Sequence, residues 1–344
     1  MANSGKERAM SMDLLRLLAC FFVVLLHSAA ICLLQQEPGS PTWWGMHFYD
    51  CLSRSCVPLF FMLSGSFLLD PSRPLTREKW GKKVGRLLLL YLLWNGFYAL
   101  FGYETLPDPG EFLRRFAQSY YHLWFLRALL PCYFLLPLLR PFFRSAGRRE
   151  LLTGLSVLFL FQVVLPTFLP VFPASVREFF QGFSYVQLSH LFYFLLGYGL
   201  KAGKDLLPSR NILGVLFLFA FLWAFLGDGL RSVKMGESHF SLYSYFSFPV
   251  FLEALSCFSV FLKSSPRQWP PFLQKPVAGG ASFTGMIYLL HPLFLFLLVI
   301  RGKLVPNLLG GFLGVPLLAI GVFLLSLLSS LLLSRIKTLL KNRK

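Results

Sequence analysis

Ten apolar runs set the limits on what this chain can fold into. They cover about 14–34, 48–69, 86–103, 120–139, 151–170, 184–200, 211–228, 242–262, 282–300 and 309–334. Each is near the ~20 residues that carry an α-helix across the ~30 Å hydrocarbon layer of a bilayer. The runs are continuously apolar rather than alternating, which excludes a transmembrane β-barrel. Only 14% of the 344 residues are charged, against about 25% in soluble domains. The expected fold is therefore all-α: a polytopic integral membrane protein with about ten transmembrane helices. No loop is long enough for a separate soluble domain, so 1–344 reads as a single transmembrane domain.

The net charge of +18 is informative through its placement. With the N-terminus in the cytoplasm, most Lys and Arg fall in cytoplasmic segments, as the positive-inside bias requires. They stand at Lys6 and Arg8, between Arg73 and Arg86, between Arg140 and Arg149, and from Arg335 to the end. Residues 1–13 then form a cytoplasmic N-terminus and 335–344 a basic cytoplasmic tail, in a multi-pass protein of the cell (inner or plasma) membrane. Membrane lipid headgroups are partners for this charge. Nucleic acid is not, because the basic residues are spread over short loops. Lys6, Arg8 and Ser28-Ala29-Ala30 mimic a secretory leader, but the apolar run continues past them and cleavage would discard His27. The six Cys show no zinc-like spacing and no metal site is expected. Cys32 and Cys51 both fall near the outer face, which leaves a disulfide between them open.

Polar residues inside such runs are costly unless they face protein or a water-filled cavity. The first run carries Asp13, Arg16 and His27. Eleven helical steps of ~100° bring Arg16 and His27 to nearly one face, about 16 Å apart along the axis. Asp13, three residues before Arg16, joins that face. Arg16 would sit at the cytoplasmic interface and His27 near mid-membrane, where an imidazole can act as a base.

The second run pairs Asp50 with Arg54 at i,i+4, and Pro58 can kink the helix there. Ser64 and Gly65 permit close helix packing. The following basic loop holds Arg73, Arg77, Lys79, Lys82, Lys83 and Arg86, with Lys83 and Arg86 best placed for a phosphate-bearing ligand. The fourth run opens with His122, Trp124 and Arg127. Trp124 suits an interfacial belt, and Arg127 needs a polar partner or cavity. The ninth places Tyr288 and His291 on one face beside Pro292. Glu253 and Asn95 are further intramembrane polar groups, and His190 and Asn95 read as packing residues.

Four segments in order, MDLLRLLACFFVVLLHS, VPLFFMLSG, HLWFLRALL and FTGMIYLLHP, resemble the membrane acyltransferase-3 family over nearly the whole chain. The resemblance implies a ten-helix enzyme that takes an acyl group, usually acetyl, from cytoplasmic acyl-CoA. The acyl group passes to a hydroxyl of a surface or lipid-linked carbohydrate or other acceptor. Arg16 and His27 match the family's Arg-x10-His motif, so His27 is implied to be catalytic, supported by Arg16 and Asp13. The family's Arg-x-x-Arg element appears only as Lys83-x-x-Arg86. Lys82, Lys83, Arg86 and Arg16 are then expected at the acyl-CoA. Arg54, Asp50, Ser64, Arg127, Trp124, Tyr288, His291 and Glu253 are expected to line the acceptor path or support the site. No esterase-like extracellular domain is appended. Two alternatives are a transporter or polysaccharide exporter using the same polar path, and a non-catalytic member acting in a complex.

Overall fold

The computed structural model describes residues 2–177, 189–264, 270–304 and 306–342. Among them every regular element is a helix. The main helices are α1 (Ala2–Leu33), α2 (Pro41–Ser53), α3 (Cys56–Leu68), α4 (Arg77–Phe101), α5 (Pro109–Gln118), α6 (Trp124–Phe134) and α7 (Leu136–Ser145). They continue as α8 (Arg148–Phe159), α9 (Ser189–Ala202), α10 (Arg210–Met235), α11 (Phe248–Lys263), α12 (Pro271–Leu295) and α13 (Gly310–Asn342).

Seven helical stretches are long and apolar enough to cross a membrane, and eight if α5–α7, bent by 56°, counts as one span. This is the expected all-α polytopic membrane fold, with fewer full-length spans than the ten apolar runs. The sixth run is helical from Ser189, and its first residues, 184–188, lie outside the described residues. Its described helix has 14 residues, about 21 Å at 1.5 Å per residue. The eighth run becomes helical only at Phe248, because Ser247 caps the helix and Pro249 occupies its first turn. Its 16 residues reach about 24 Å.

Two other boundaries differ from the sequence reading for clear reasons. The second run starts earlier, at Pro41, where Ser40 accepts the Trp43 amide at 3.2 Å. It breaks at Arg54–Ser55. A proline ring clashes with the carbonyl four residues before it and removes that hydrogen bond. For Pro58 that residue is Arg54, which is where α2 stops. The basic stretch from Arg77 to Arg86 is the start of α4 rather than a loop, with Thr76 as its cap.

The chain groups into two compact units, one of residues 1–60, 163–177 and 203–344, the other of 61–162 and 178–202. In the first unit, α1, α2, α12 and α13 enclose Val24, Ala29, Trp43, Met46, Ile287, Leu295 and Ala319. α1 and α12 touch at a constant offset. Cys20 Sγ lies 3.6 Å from Thr284 O, and the rings of His27 and His291 are 5.3 Å apart. A constant difference in residue number means that the two helices run parallel. Parallel helices need an odd number of crossings between them. The four straight spans between α1 and α12 do not meet this condition. Counting α5–α7 makes five, and counting α9 and α11 as well makes seven. The eight-span and ten-span schemes therefore agree with the packing, and the seven-span scheme does not. All six cysteines, Cys32 and Cys51 included, are free.

In the second unit, α3 and α9 cross at glycines. A Cβ on Gly65 would overlap the Phe194 carbonyl, and one on Gly197 the Met62 carbonyl. Small residues of this kind allow the close backbone approach on which helix association in lipid depends. Beside the crossing, Lys201 bonds Asp70 at 2.6 Å and the Ser66 carbonyl at 3.0 Å. Partial burial works against ionisation of Asp70, but the bonds from Lys201 and Ser72 outweigh it and hold the carboxyl down at about 2. Asn95 donates to the Phe116 carbonyl at 2.7 Å, tying α4 to α5.

The α3–α9 crossing sets a clear expectation. Gly65→Ala should destabilise the protein by about 3 kcal/mol or more through overpacking. Gly81→Ala, with nothing within 4 Å of an added Cβ, should be neutral or stabilising. Thermal unfolding midpoints in one detergent compare the two.

Candidate functional site

The polar residues of the first run lie along one helix, α1, as its periodicity requires. Arg16 bonds Asp13 at 2.7 Å, both partly exposed. About 16 Å further along the axis, His27 is half-buried and its ring stacks on His291 at an interplanar angle of 23°. The register that brings Cys20 to Thr284 brings His27 to His291 two turns later, so the histidine pair is a consequence of how α1 and α12 pack.

His291 is fully enclosed, at 0% exposure. Its Nδ1 lies 3.3 Å from the Ile287 carbonyl. A carbonyl only accepts, so Nδ1 carries the hydrogen and Nε2 keeps a lone pair. Tyr288, one turn back, has its ring 6.0 Å from that of His291.

The break at Arg54 supplies the second component. Asp50 is 1% exposed and takes a 2.8 Å bond from Arg54. The guanidinium lies 4.7 Å from the Tyr243 ring centre and 5.7 Å from that of Tyr245. α1 packs against both α2 and α11, so the helices that carry His27, Arg54 and Glu253 adjoin one another. Glu253 is wholly buried on α11.

Tyr243 and Tyr245 were not expected, because they fall in the predicted eighth run. Ser241, Ser244, Ser247 and Pro249 in that stretch were the available signal that it begins as a loop. Asp228, near the end of α10, holds the loop in place. Its Oδ2 accepts the Leu242 amide at 2.6 Å, and its Oδ1 accepts the Ser241 hydroxyl at 2.9 Å. Gly236, at φ 70°, ends α10 and starts the turn.

The second unit holds a basic cavity of about 550 Å³ whose lining includes Arg77, Trp80, Arg140 and Arg144. Arg140 donates to the carbonyls of Leu68 and Arg73, fixing the loop between α3 and α4. The Trp80 indole N–H bonds the Tyr133 carbonyl at 2.8 Å. Lys82, Lys83 and Arg86 are not among the lining residues. Lys82 pairs with Glu78, and Lys83 and Arg86 are exposed on α4. Trp80, Arg140 and Arg144 were missed as site residues because the loop that gathers them is a tertiary contact. Arg127 lies on the exposed side of α6, Trp124 has its ring 5.4 Å from His190, and Ser64 is half-buried on α3. No cluster of His, Cys, Asp or Glu able to hold a metal occurs among the described residues.

A family model described as an acyltransferase domain, the third of its name, matches residues 11–335. No curated protein and no solved structure matches the chain.

Asp50→Asn should be strongly destabilising, by about 3–5 kcal/mol, because it leaves the Arg54 charge without its carboxylate. Replacing both, as Asp50→Asn with Arg54→Gln, should cost less. Folded yield and thermal midpoint of the three proteins measure the difference.

Proposed function

The chain belongs to the acyltransferase-3 family, and from that premise we propose that it moves an acyl group, acetyl foremost, from cytoplasmic acyl-CoA to an acceptor hydroxyl. The acceptor is a cell-surface or lipid-linked carbohydrate. The observation that carries the reading is the His27–His291 pair, whose first member stands on a helix that packs against the one ending at Arg54.

The chemistry assigned to these groups is short. His27 takes the proton from the acceptor hydroxyl as its oxygen attacks the thioester carbonyl. The carbonyl oxygen becomes an oxyanion in the tetrahedral intermediate. Its collapse breaks the C–S bond, and His27 returns the proton to the departing thiolate. No proton is gained or lost overall. His291 offers a lone pair at Nε2, so its part is to accept a hydrogen bond and orient the hydroxyl. A donor is needed for the oxyanion, and Arg54 is the cation assigned to it. Arg16, paired with Asp13, stands at the cytoplasmic end of α1 and favours the anionic donor there.

The arginine cavity of the second unit is assigned to the phosphate end of acyl-CoA. Guanidinium groups bind phosphate in a bidentate fork that lysine cannot make. Trp80 provides an aromatic face for a purine. The volume lies within the ~300–1,000 Å³ of ordinary ligand sites. Lys82, Lys83 and Arg86 contribute longer-range attraction from the exposed side of α4. The matched span, residues 11–335, takes in most of both compact units, which supports reading 1–344 as one acyltransferase domain.

His27→Ala should abolish acyl transfer while the protein accumulates and inserts normally, read by loss of labelled acetyl from acetyl-CoA onto surface glycan. Unchanged transfer would overturn the reading. Arg144→Ala removes one charge-assisted phosphate contact, worth about 1.5–3 kcal/mol. It should raise KM for acetyl-CoA at least about tenfold with kcat little altered, as steady-state kinetics would show.

A further inference from the structure

The cavity of the second unit carries positive charge that nothing in its wall balances. Arg77, Arg140 and Arg144 line it, and no Asp or Glu does among the described residues. The acids that flank it in the chain are engaged elsewhere, Asp70 with Lys201 and Glu78 with Lys82. Arg140 directs two guanidinium nitrogens to the carbonyls of Leu68 and Arg73. Carbonyls are neutral, so its charge remains. Arg77 and Arg144 are exposed and enter none of the ion pairs among the described residues.

The two free guanidiniums stand in different fields. Arg144 lies in the last turn of α7, where the negative end of the helix dipole partly offsets a cation. Arg77 is the first residue of α4, directly after the cap Thr76, whose hydroxyl accepts the Lys79 amide at 3.3 Å. The amides of Arg77 and Glu78 have no acceptor within the helix, and the positive end of the dipole adds to the Arg77 charge. The cavity is therefore most positive at Arg77.

The nucleotide end of CoA carries two kinds of phosphate. Its pyrophosphate holds one negative charge on each phosphorus, too few for three guanidiniums. Its 3′-phosphate is a monoester, with about −1.5 to −2 charges near pH 7 and three terminal oxygens. Such a group gains most where a guanidinium fork and free amides coincide. A lipid headgroup ending in a phosphate monoester offers the same charge but no ring for Trp80, which the Tyr133 carbonyl holds in place at the edge of the cavity.

We infer that Arg77 reads the 3′-phosphate of the donor, which makes the cavity a site for 3′-phosphorylated adenine nucleotides rather than for adenine nucleotides in general. Adenosine 3′,5′-bisphosphate, which has that phosphate and no thioester, occupies the same cavity and competes with the donor. The link from nucleotide to acyl donor rests on the acyl-CoA reading above. Arg77 sets donor specificity and takes no part in the transfer itself.

CoA and dephospho-CoA are the probes, since they differ only in the 3′-phosphate. Their affinities are measured calorimetrically on the full chain in phosphatidylcholine nanodiscs at one salt concentration. CoA should bind at least about tenfold more tightly, the effect of one charge-assisted contact. Arg77→Ala should bring the two to near parity. Arg77→Lys, which keeps the charge and loses the fork, should retain a smaller preference. Arg144→Ala should weaken both probes alike. Adenosine 3′,5′-bisphosphate should displace CoA at least about tenfold more strongly than AMP does. Equal affinities in the wild type, binding of neither probe, or a preference that survives Arg77→Ala would overturn the inference. So would loss of CoA binding in discs with phosphatidic acid but not in discs of equal charge with phosphatidylglycerol, which assigns the cavity to a lipid headgroup. Acyl transfer from acetyl-CoA is followed in parallel. Transfer with no 3′-phosphate preference sinks this inference alone. A preference without transfer sinks the acyltransferase reading and leaves the nucleotide site standing.

Discussion

The parallel packing of α1 along α12 is the contact on which the rest of the first unit depends. Both helices are apolar around most of their circumference, so hydrophobicity alone does not choose their register. Close packing does. Gly280 lets Leu17 approach, Cys20 meets the Thr284 carbonyl, and seven residues later His27 reaches His291. A seven-residue repeat keeps two parallel helices in step through a gentle supercoil. The same contact that stabilises the helix pair therefore brings two imidazoles together at membrane depth. It also limits the topology, because parallel partners need an odd number of crossings between them.

Interruptions in otherwise regular helices place the remaining polar groups. Pro58 ends α2 at Arg54 and leaves the guanidinium at a helix end, turned to Asp50, Tyr243 and Tyr245. Gly236 ends α10, and Asp228 folds the following loop back on itself so that its tyrosines lie against Arg54. In lipid, non-helical backbone is tolerated only where protein or a polar cavity surrounds it. Here the loop's amides are taken by a buried aspartate. In the second unit, Arg140 performs a similar service for the carbonyls of Leu68 and Arg73, and in doing so forms one wall of the arginine cavity.

The split between these features and the smooth apolar surface follows from the solvent. Exposed leucines such as Leu317, Leu324 and Leu328 on α13 need no partner in hydrocarbon. Ionisable residues do: Asp50 pairs with Arg54, His27 stacks on His291, and Asp228 takes the hydroxyl of Ser241 and the amide of Leu242. Glu253, wholly buried on α11, has both carboxyl oxygens enclosed with no hydrogen-bond partner among the described residues.

The amino-acid sequence by itself determined that the chain is an all-helical membrane protein, and it showed the line of Asp13, Arg16 and His27 on one helix face. Hydropathy and the 3.6-residue period are local properties, readable without knowing any neighbour. It also showed Asp50 beside Arg54, an i,i+4 pair within one helix. Tertiary structure alone decided that His27 meets His291, more than 260 positions away, and that Tyr243 and Tyr245 belong to a loop over Arg54. It likewise drew Trp80, Arg140 and Arg144 to one cavity and left Lys82, Lys83 and Arg86 outside it. Basic residues near a membrane surface look alike in sequence, whether they set topology or bind phosphate. Only packing settles which of them share a cavity, since that depends on close approach between helices distant in the chain.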